Sequence, residues 1–289
     1  MNKDCKAISL EDGRTLAYAE YGDPHGKPVF FFHGTPGSRF FRPNDEITTR
    51  LGVRLITVDR PGYGCSDFQP GRRILDWPTD IAALADSLGI TKFAIVGHSG
   101  GGPYAVACAS VLPERVTGAA ILSGAGPVGA PGATKGMSTV NRAGFTFGRY
   151  IPWSLWQVII WQAYHQRCND PAAAMDRDSG HRPRADEEQI IRPEVREACL
   201  SSELEAFRHG LRGLAWDARL LTRSWGIPLE EIRSPVHLWY GTIDNLTTVA
   251  TARYLAGKIS GSSITICKGE AHLLLFPHWE EILFQLILE

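Results

Sequence analysis

No stretch of this 289-residue chain approaches the about 18 consecutive apolar residues that a membrane-spanning helix requires. Its opening, MNKDCKAISLEDG, has no apolar signal core. Charge of one sign is also missing: 30 Lys and Arg stand against 31 Asp and Glu, a formal net charge of −1. Neither counterion release nor long-range attraction then has much charge to work with, which argues against nucleic acid and anionic membrane as partners. The one basic-looking run, RPRADEE around Arg184, mixes both signs and reads as a solvated face. The six cysteines, Cys5, Cys65, Cys108, Cys168, Cys199 and Cys267, form no CxxC pair, so a zinc knuckle or a dithiol redox motif is unsupported and free, mostly buried thiols are expected. A phosphate cradle of the GxxxxGK type and metal-ligand spacing are absent as well. The expectation is a cytoplasmic protein that handles a small molecule without metal or organic cofactor.

At 44% hydrophobic and 21% charged residues, the chain can bury a large core. RTLAYAEYG alternates with period two, and KPVFFFHG is a continuous apolar run. VRLITVDRPGYG, KFAIVGHS, TGAAILSG, PVHLWYGTID and SSITICKG repeat the form of a short strand followed by a polar or glycine turn. Such runs suit strands covered on both faces. Helical stretches lie between them. DWPTDIAALADSLG puts Ile81, Leu84, Ala85 and Leu88 on one face, with Gly89 where a C-terminal cap belongs. Strand alternating with helix implies an α/β fold with a doubly wound, mostly parallel sheet, whose ligands bind at the carboxyl ends of the strands.

Residues 125–226 break this pattern. Aromatic-rich amphipathic segments replace the strands, and the strand grammar resumes at SPVHLWY. The expectation is a core of residues 1–124 and 227–289 carrying a helical cap, 125–226, inserted between two strands. Phe145, Phe147, Trp153, Trp156, Trp161 and Tyr164 make the cap apolar and aromatic, so a hydrophobic substrate moiety is expected.

Chemistry concentrates at Gly97-His98-Ser99-Gly100-Gly101. A GxSxG string is unspecific in a glycine-rich chain, so context decides its meaning. Here it follows the strand FAIV and opens the helix GGPYAVACA, the strand–turn–helix setting of a nucleophile elbow. Side chains at 97 and 101 would collide where the backbone doubles back, and the N–H of Gly100 is free to face a developing oxyanion.

A serine hydroxyl is a weak nucleophile and needs a base, plus an acid that fixes the base's tautomer. The order Ser, acid, His leaves His272 and His278 as bases. His272 sits just past a strand end in SSITICKGEAHLLLF, whereas His278 follows Pro277 and reads as a solvated capping residue. Asp244 ends the strand VHLWYGTID and is the acid, with Asp217 as a remote competitor. The loop HGTPGSR supplies small residues for a second oxyanion donor. By position this is the N–H of Thr35, with His33 and Gly34 supporting the loop.

HGTPGS, DRPGYGCSD, GHSGG, GTIDN and EAH, in this order, resemble the α/β-hydrolase fold family, specifically its lidded serine hydrolases. That resemblance covers nearly the whole chain. It implies Ser99 as nucleophile, Asp244 as acid, His272 as base, and Thr35 and Gly100 as oxyanion donors. Departures from the family pattern are Thr247, where a proline is frequent, and Ala271, where a glycine is frequent. Gly100 stands where many relatives carry a bulky side chain, and is expected to leave room near the acyl carbon. An aspartate at the elbow, as in dehalogenases and epoxide hydrolases of this fold, is replaced by Ser99. The leading expectation is hydrolysis of a small hydrophobic carboxylic ester through an acyl-enzyme. A lactonase, thioesterase, C–C bond hydrolase or perhydrolase with the same triad, and a ligand-binding receptor with slow or no turnover, are the alternatives.

Overall fold

The computed structural model describes residues 5–288 except 128, 131, 133 and 181. Its centre is β3 (Lys27–Phe32), in which Val29, Phe30, Phe31 and Phe32 are all fully buried. The unbroken apolar run follows from the strand's period of two, because both faces are covered. Phe30 and Phe32 enter one hydrophobic cluster, while Val29 and Phe31 enter the cluster on the opposite face. Burying each such side chain stabilises the fold by roughly 1.5–3 kcal/mol.

Around β3 the sheet has eight strands in the order β1-β2-β4-β3-β5-β6-β7-β8. The others are β1 (Lys6–Ser9), β2 (Thr15–Gly22), β4 (Val53–Val58), β5 (Phe93–His98), β6 (Val116–Leu122), β7 (Val236–Gly241) and β8 (Ser263–Cys267). From β4 to β8 every neighbouring pair is parallel, and β1 and β2 close one edge antiparallel. The doubly wound, mostly parallel α/β sheet read from the sequence is therefore the observed one. Pairing of Phe32 with Gly97, His98 with Leu122 and Leu122 with Trp239 brings the carboxyl ends of β3, β5, β6 and β7 to one edge.

The helices in chain order are α1 (Asp45–Arg50), α2 (Trp77–Ser87), α3 (Gly102–Val111), α4 (Thr139–Phe147), α5 (Trp153–Asn169), α6 (Pro171–Arg177), α7 (Arg184–Ile190), α8 (Pro193–Ala206), α9 (Arg212–Leu221), α10 (Val249–Ala256) and α11 (Trp279–Ile287). Side chains of α2, α3 and α10 join one cluster, including Ile81, Leu84, Tyr104 and Leu255. Trp279, Ile282, Leu283 and Leu286 of α11 join the other. Helices α4 to α9 all lie between β6 and β7. No described helix is long and apolar enough to cross a membrane. All six cysteines are free thiols, but only Cys108 and Cys267 are buried and Cys168 is exposed, which corrects the expectation of mostly buried thiols.

Candidate active site

Ser99 sits in the sharp turn between β5 and α3 with φ +53°, a left-handed conformation that a serine rarely adopts. The surrounding glycines explain how the chain tolerates it. A Cβ on Gly97 would come within 2.7 Å of Ala105 Cβ and of the Gly101 carbonyl oxygen, and one on Gly101 would strike the carbonyl oxygens of Phe32 and His33. Gly97 and Gly101 are thus required by close approach, as the sequence implied. Ser99 retains 9% exposure at the mouth of a cavity.

His272 lies in the loop after β8, and its Nδ1 donates to Asp244 Oδ2 at 2.9 Å. Asp244, in the loop after β7, also accepts from the N–H groups of Leu246 (2.8 Å) and Thr247 (3.0 Å). Thr247 Oγ1 stands 2.8 Å from Asp244 Oδ2 and 2.8 Å from the Ser123 carbonyl oxygen. Burial pushes the Asp244 carboxyl up, but His272 and these donors outweigh it and hold the group below its ordinary value. For His272, burial opposes the imidazolium, while Asp244 and Asp186 favour it. The net result is a histidine raised above its ordinary value. With Nδ1 committed to Asp244, the other ring nitrogen is the one free to move a proton.

Thr35 follows β3 and lines the same cavity as Ser99 and Gly100. Among the described residues no acceptor takes the N–H of Thr35 or of Gly100. The loop carrying Thr35 is held from behind. His33 Nδ1 donates to Gly34 O at 2.7 Å, and its Nε2 accepts the Arg60 N–H at 3.3 Å. Burial and the Arg60 charge keep this imidazole well below its ordinary value and neutral. The Arg60 guanidinium donates to the carbonyl oxygens of His33 and Gly34 and, at 2.9 Å, to Thr35 Oγ1.

Several residues that the sequence did not single out complete the site. His98, next to Ser99, stacks on Phe41 (5.2 Å between centroids) and donates from Nε2 to the His272 carbonyl at 3.1 Å. Burial, then the neighbouring His272, push it down to about 3, so it stays neutral. Asp186 of α7 is 4% exposed and accepts the Leu273 N–H at 2.7 Å. A lone histidine at an elbow and an aspartate in a charged helical run carry no distinguishing pattern in the sequence; only tertiary proximity to His272 reveals them.

Other expectations are corrected. Asp217 is not near His272: it is fully buried on α9 with Arg60 (2.9 Å), Arg72 (2.5 Å), Tyr63 (3.0 Å) and Tyr104 (2.6 Å). His278 occupies the N-cap of α11, but it packs on Trp239 at 5.9 Å and makes no capping bond. The space expected beside Gly100 is filled: a Cβ there would strike Thr35 Oγ1 and lie 2.8 Å from Thr35 Cβ. Of the aromatic residues, Phe145 and Trp156 line the cavity, Trp153 stacks on Phe68 and Tyr164 packs on Phe207, while Phe147 and Trp161 point outward.

The cavity has a volume of about 330 Å³. Its walls are predominantly apolar, with Ala125, Val140, Phe145, Trp156, Leu214 and Leu221 opposite Ser99, and none of its lining side chains is charged.

Sheet order, the turn at Ser99 and the His272–Asp244 pair together define an α/β hydrolase architecture. A family model described as alpha/beta hydrolase fold matches residues 27–142. Among curated proteins, the chain is 36% identical over 125 residues to a non-heme chloroperoxidase of Streptomyces lividans, covering 42% of this chain and 45% of the relative. It is 34% identical over 119 residues to a proline iminopeptidase of Xylella fastidiosa strain 9a5c, covering 38% and 36%. The matched segment thus spans less than half the length of these relatives. A hydrolase from Pseudomonas aeruginosa PA01 has a similar solved structure, with TM-score 0.71, 19% identity and 99% of each chain covered. The chain is a protein of the α/β hydrolase fold.

Proposed function

We propose that the protein is a serine hydrolase that cleaves a carboxylic ester of a small hydrophobic acid. Three observations support this reading: Ser99 on its left-handed turn after β5, the 2.9 Å His272–Asp244 pair in the loops after β8 and β7 at the same edge of the sheet, and an uncharged, apolar cavity lined by Ser99. Ser99 Oγ attacks the acyl carbon as His272 takes its proton, and the N–H groups of Thr35 and Gly100 stabilise the oxyanion. Collapse breaks the bond to the alcohol, which leaves with the proton held on His272. Water, deprotonated by the same imidazole, then releases the acid and regenerates Ser99. Asp244 orients His272 and stabilises its charged form. Helices α4 to α9 act as a cap, with Phe145, Trp156 and Leu214 giving the acyl group an apolar wall. The reading places the enzyme in the cytoplasm, acting on a small molecule without a cofactor.

The test is hydrolysis of p-nitrophenyl acetate, butyrate and octanoate by the wild type and by Ser99→Ala, with a serine-directed phosphonate read by intact mass. Turnover that disappears in Ser99→Ala, and a single adduct on Ser99, support the reading. A folded protein that neither turns over these esters nor takes the phosphonate would be a binder and not a hydrolase.

A further inference from the structure

A second cavity, of about 670 Å³, opens on the other side of the same residues. His272, Leu273 and Asp186 line it, and Ser99 does not; Val140, Asn141 and Leu246 border both cavities. The chemistry of ester cleavage distinguishes the two. The acyl carbon becomes bonded to Ser99 Oγ with its oxyanion on Thr35 and Gly100, so the acyl group extends into the cavity that these residues line. The departing oxygen must receive its proton from His272, so the alcohol extends to the side that His272 lines.

The charge of this second wall is specific. Its two arginines are already taken: Arg167 by Asp178 (2.6 Å) and Glu203 (2.5 Å), and Arg182 by Glu187 (3.0 Å) and the Met175 carbonyl (2.7 Å). Asp186, 4% exposed, accepts the backbone N–H groups of Leu273 (2.7 Å) and His272, and no guanidinium or ammonium of the described residues is hydrogen-bonded to it; burial pushes its carboxyl above the ordinary value, and a cation beside it would draw it back down. Of the charged side chains lining this cavity, Arg167, Arg182 and Asp178 are matched among themselves and with Glu203 and Glu187 behind the wall, so Asp186 is the lining carboxylate without a guanidinium partner, whereas no charged side chain lines the acyl cavity. A buried carboxylate with so few donors is poorly compensated, and a cation beside it gains what the wall lacks.

We propose that the larger cavity is the leaving-group site and that it selects alcohols bearing an ammonium group, with Asp186 as the counter-ion. This rests on the ester-hydrolase reading of Ser99. The step balances without any further reactant: the Ser99 Oγ–acyl bond forms, the acyl–oxygen bond to the amino alcohol breaks, and the serine proton passes through His272 to the departing oxygen. Water then supplies the hydroxyl of the released acid.

The test compares three butyrate esters at pH 8: 2-(dimethylamino)ethyl butyrate, its neutral isostere 3-methylbutyl butyrate, and the anionic 2-carboxyethyl butyrate. The expected order of kcat/KM is ammonium over neutral by about tenfold, with the anionic ester slowest. In Asp186→Asn, whose amide oxygen can still accept the Leu273 N–H, the ammonium-to-neutral ratio falls to about one. The same ratio is measured as affinity, by calorimetry with Ser99→Ala protein, so that the cavity is tested independently of turnover. Equal rates and equal affinities for the ammonium and neutral esters, or a ratio unchanged in Asp186→Asn, overturn the proposal while leaving the hydrolase intact. Selective binding of the ammonium ester without turnover by the wild type keeps the cation site and removes the hydrolase reading.

Discussion

Thr35 Oγ1 donates to Asp217 Oδ2 at 3.2 Å, joining the loop after β3 to helix α9 across 182 residues of chain. The same carboxylate receives Arg60, Arg72, Tyr63 and Tyr104, and Arg60 in turn holds the His33 and Gly34 carbonyls. A second tether runs parallel to it: Arg39 Nη1 bonds Asp59 at 2.6 Å and Glu205 of α8 at 2.7 Å. The helices between β6 and β7 are therefore fastened to the proposed oxyanion loop by two buried ionic clusters. Whatever loosens the clusters loosens the loop.

Asp217→Asn leaves Arg60 and Arg72 buried without their carboxylate. Breaking one side of a buried pair costs about 3–5 kcal/mol, which urea unfolding will read directly. At a temperature where the variant stays folded, kcat falls more than KM rises, because the loop and not the substrate wall is disturbed. Thr35→Val removes only the hydroxyl link. It should lower kcat with a stability change of about 1–2 kcal/mol, and unchanged kcat in both variants would separate the cluster from catalysis.

The pH profile follows from the carboxylates around His272. Asp244 and Asp186 raise this histidine above its ordinary value of 6.5, and the base works only when neutral. The acid limb of kcat/KM is expected above pH 6.5. Asp186→Asn removes one of the two stabilising charges and shifts the limb to lower pH. Asp244→Asn also disturbs the tautomer and lowers kcat by about 10⁴. An acid limb that stays fixed in Asp186→Asn would show that its charge is not felt at His272.

The frame was readable because β3, β4, β5, β6 and β7 are short apolar runs ending in turns, and a strand buried on both faces has few other ways to be written. Ser99, Asp244 and His272 were assigned from chain order at strand ends, and the structure brings Asp244 and His272 into contact. Asp186, His98 and Thr247 were not, because each acts through a contact set by tertiary packing. Thr247 was visible only as a departure from proline; its hydroxyl beside Asp244 is the physical meaning of that departure. The space at Gly100 was misread for a similar reason, since sequence cannot tell whether a missing side chain faces a void or a neighbour.

His98 makes folding stability depend on acid. Its folded value of about 3 lies below the ordinary 6.5, so the unfolded chain binds the proton more readily between these limits. Its contribution is complete above pH 6.5 and is lost as pH falls towards 3, amounting to about 2 kcal/mol at pH 5. Neutral, buried His33 acts in the same direction. Urea unfolding at pH 8, 6 and 5 should show a steady decline, and His98→Gln should flatten part of it. Stability that is level from pH 8 to pH 5 would contradict two buried neutral histidines.

Gly100→Ala separates two meanings of a small residue beside Ser99. If the glycine served pocket width, alanine would narrow the acyl preference and leave butyrate turnover nearly intact. The structure makes a different case: the new methyl meets Thr35 Oγ1 and Cβ and approaches Leu221 Cδ1 at 3.2 Å. Thr35 is pinned by Arg60 and Asp217 and has no room to retreat. The strain falls on the loop and on the turn at Ser99, displacing one or both oxyanion donors, and the loss of one such donor lowers kcat by about 10²–10³. Butyrate and acetate should lose kcat together, since the defect is in charge stabilisation and not in space. The double variant Gly100→Ala, Thr35→Gly removes the obstructing side chain while keeping the N–H at position 35, and should recover a large part of kcat. A Gly100→Ala enzyme that keeps its acetate kcat and discriminates only by chain length would return the glycine to the role of pocket spacer.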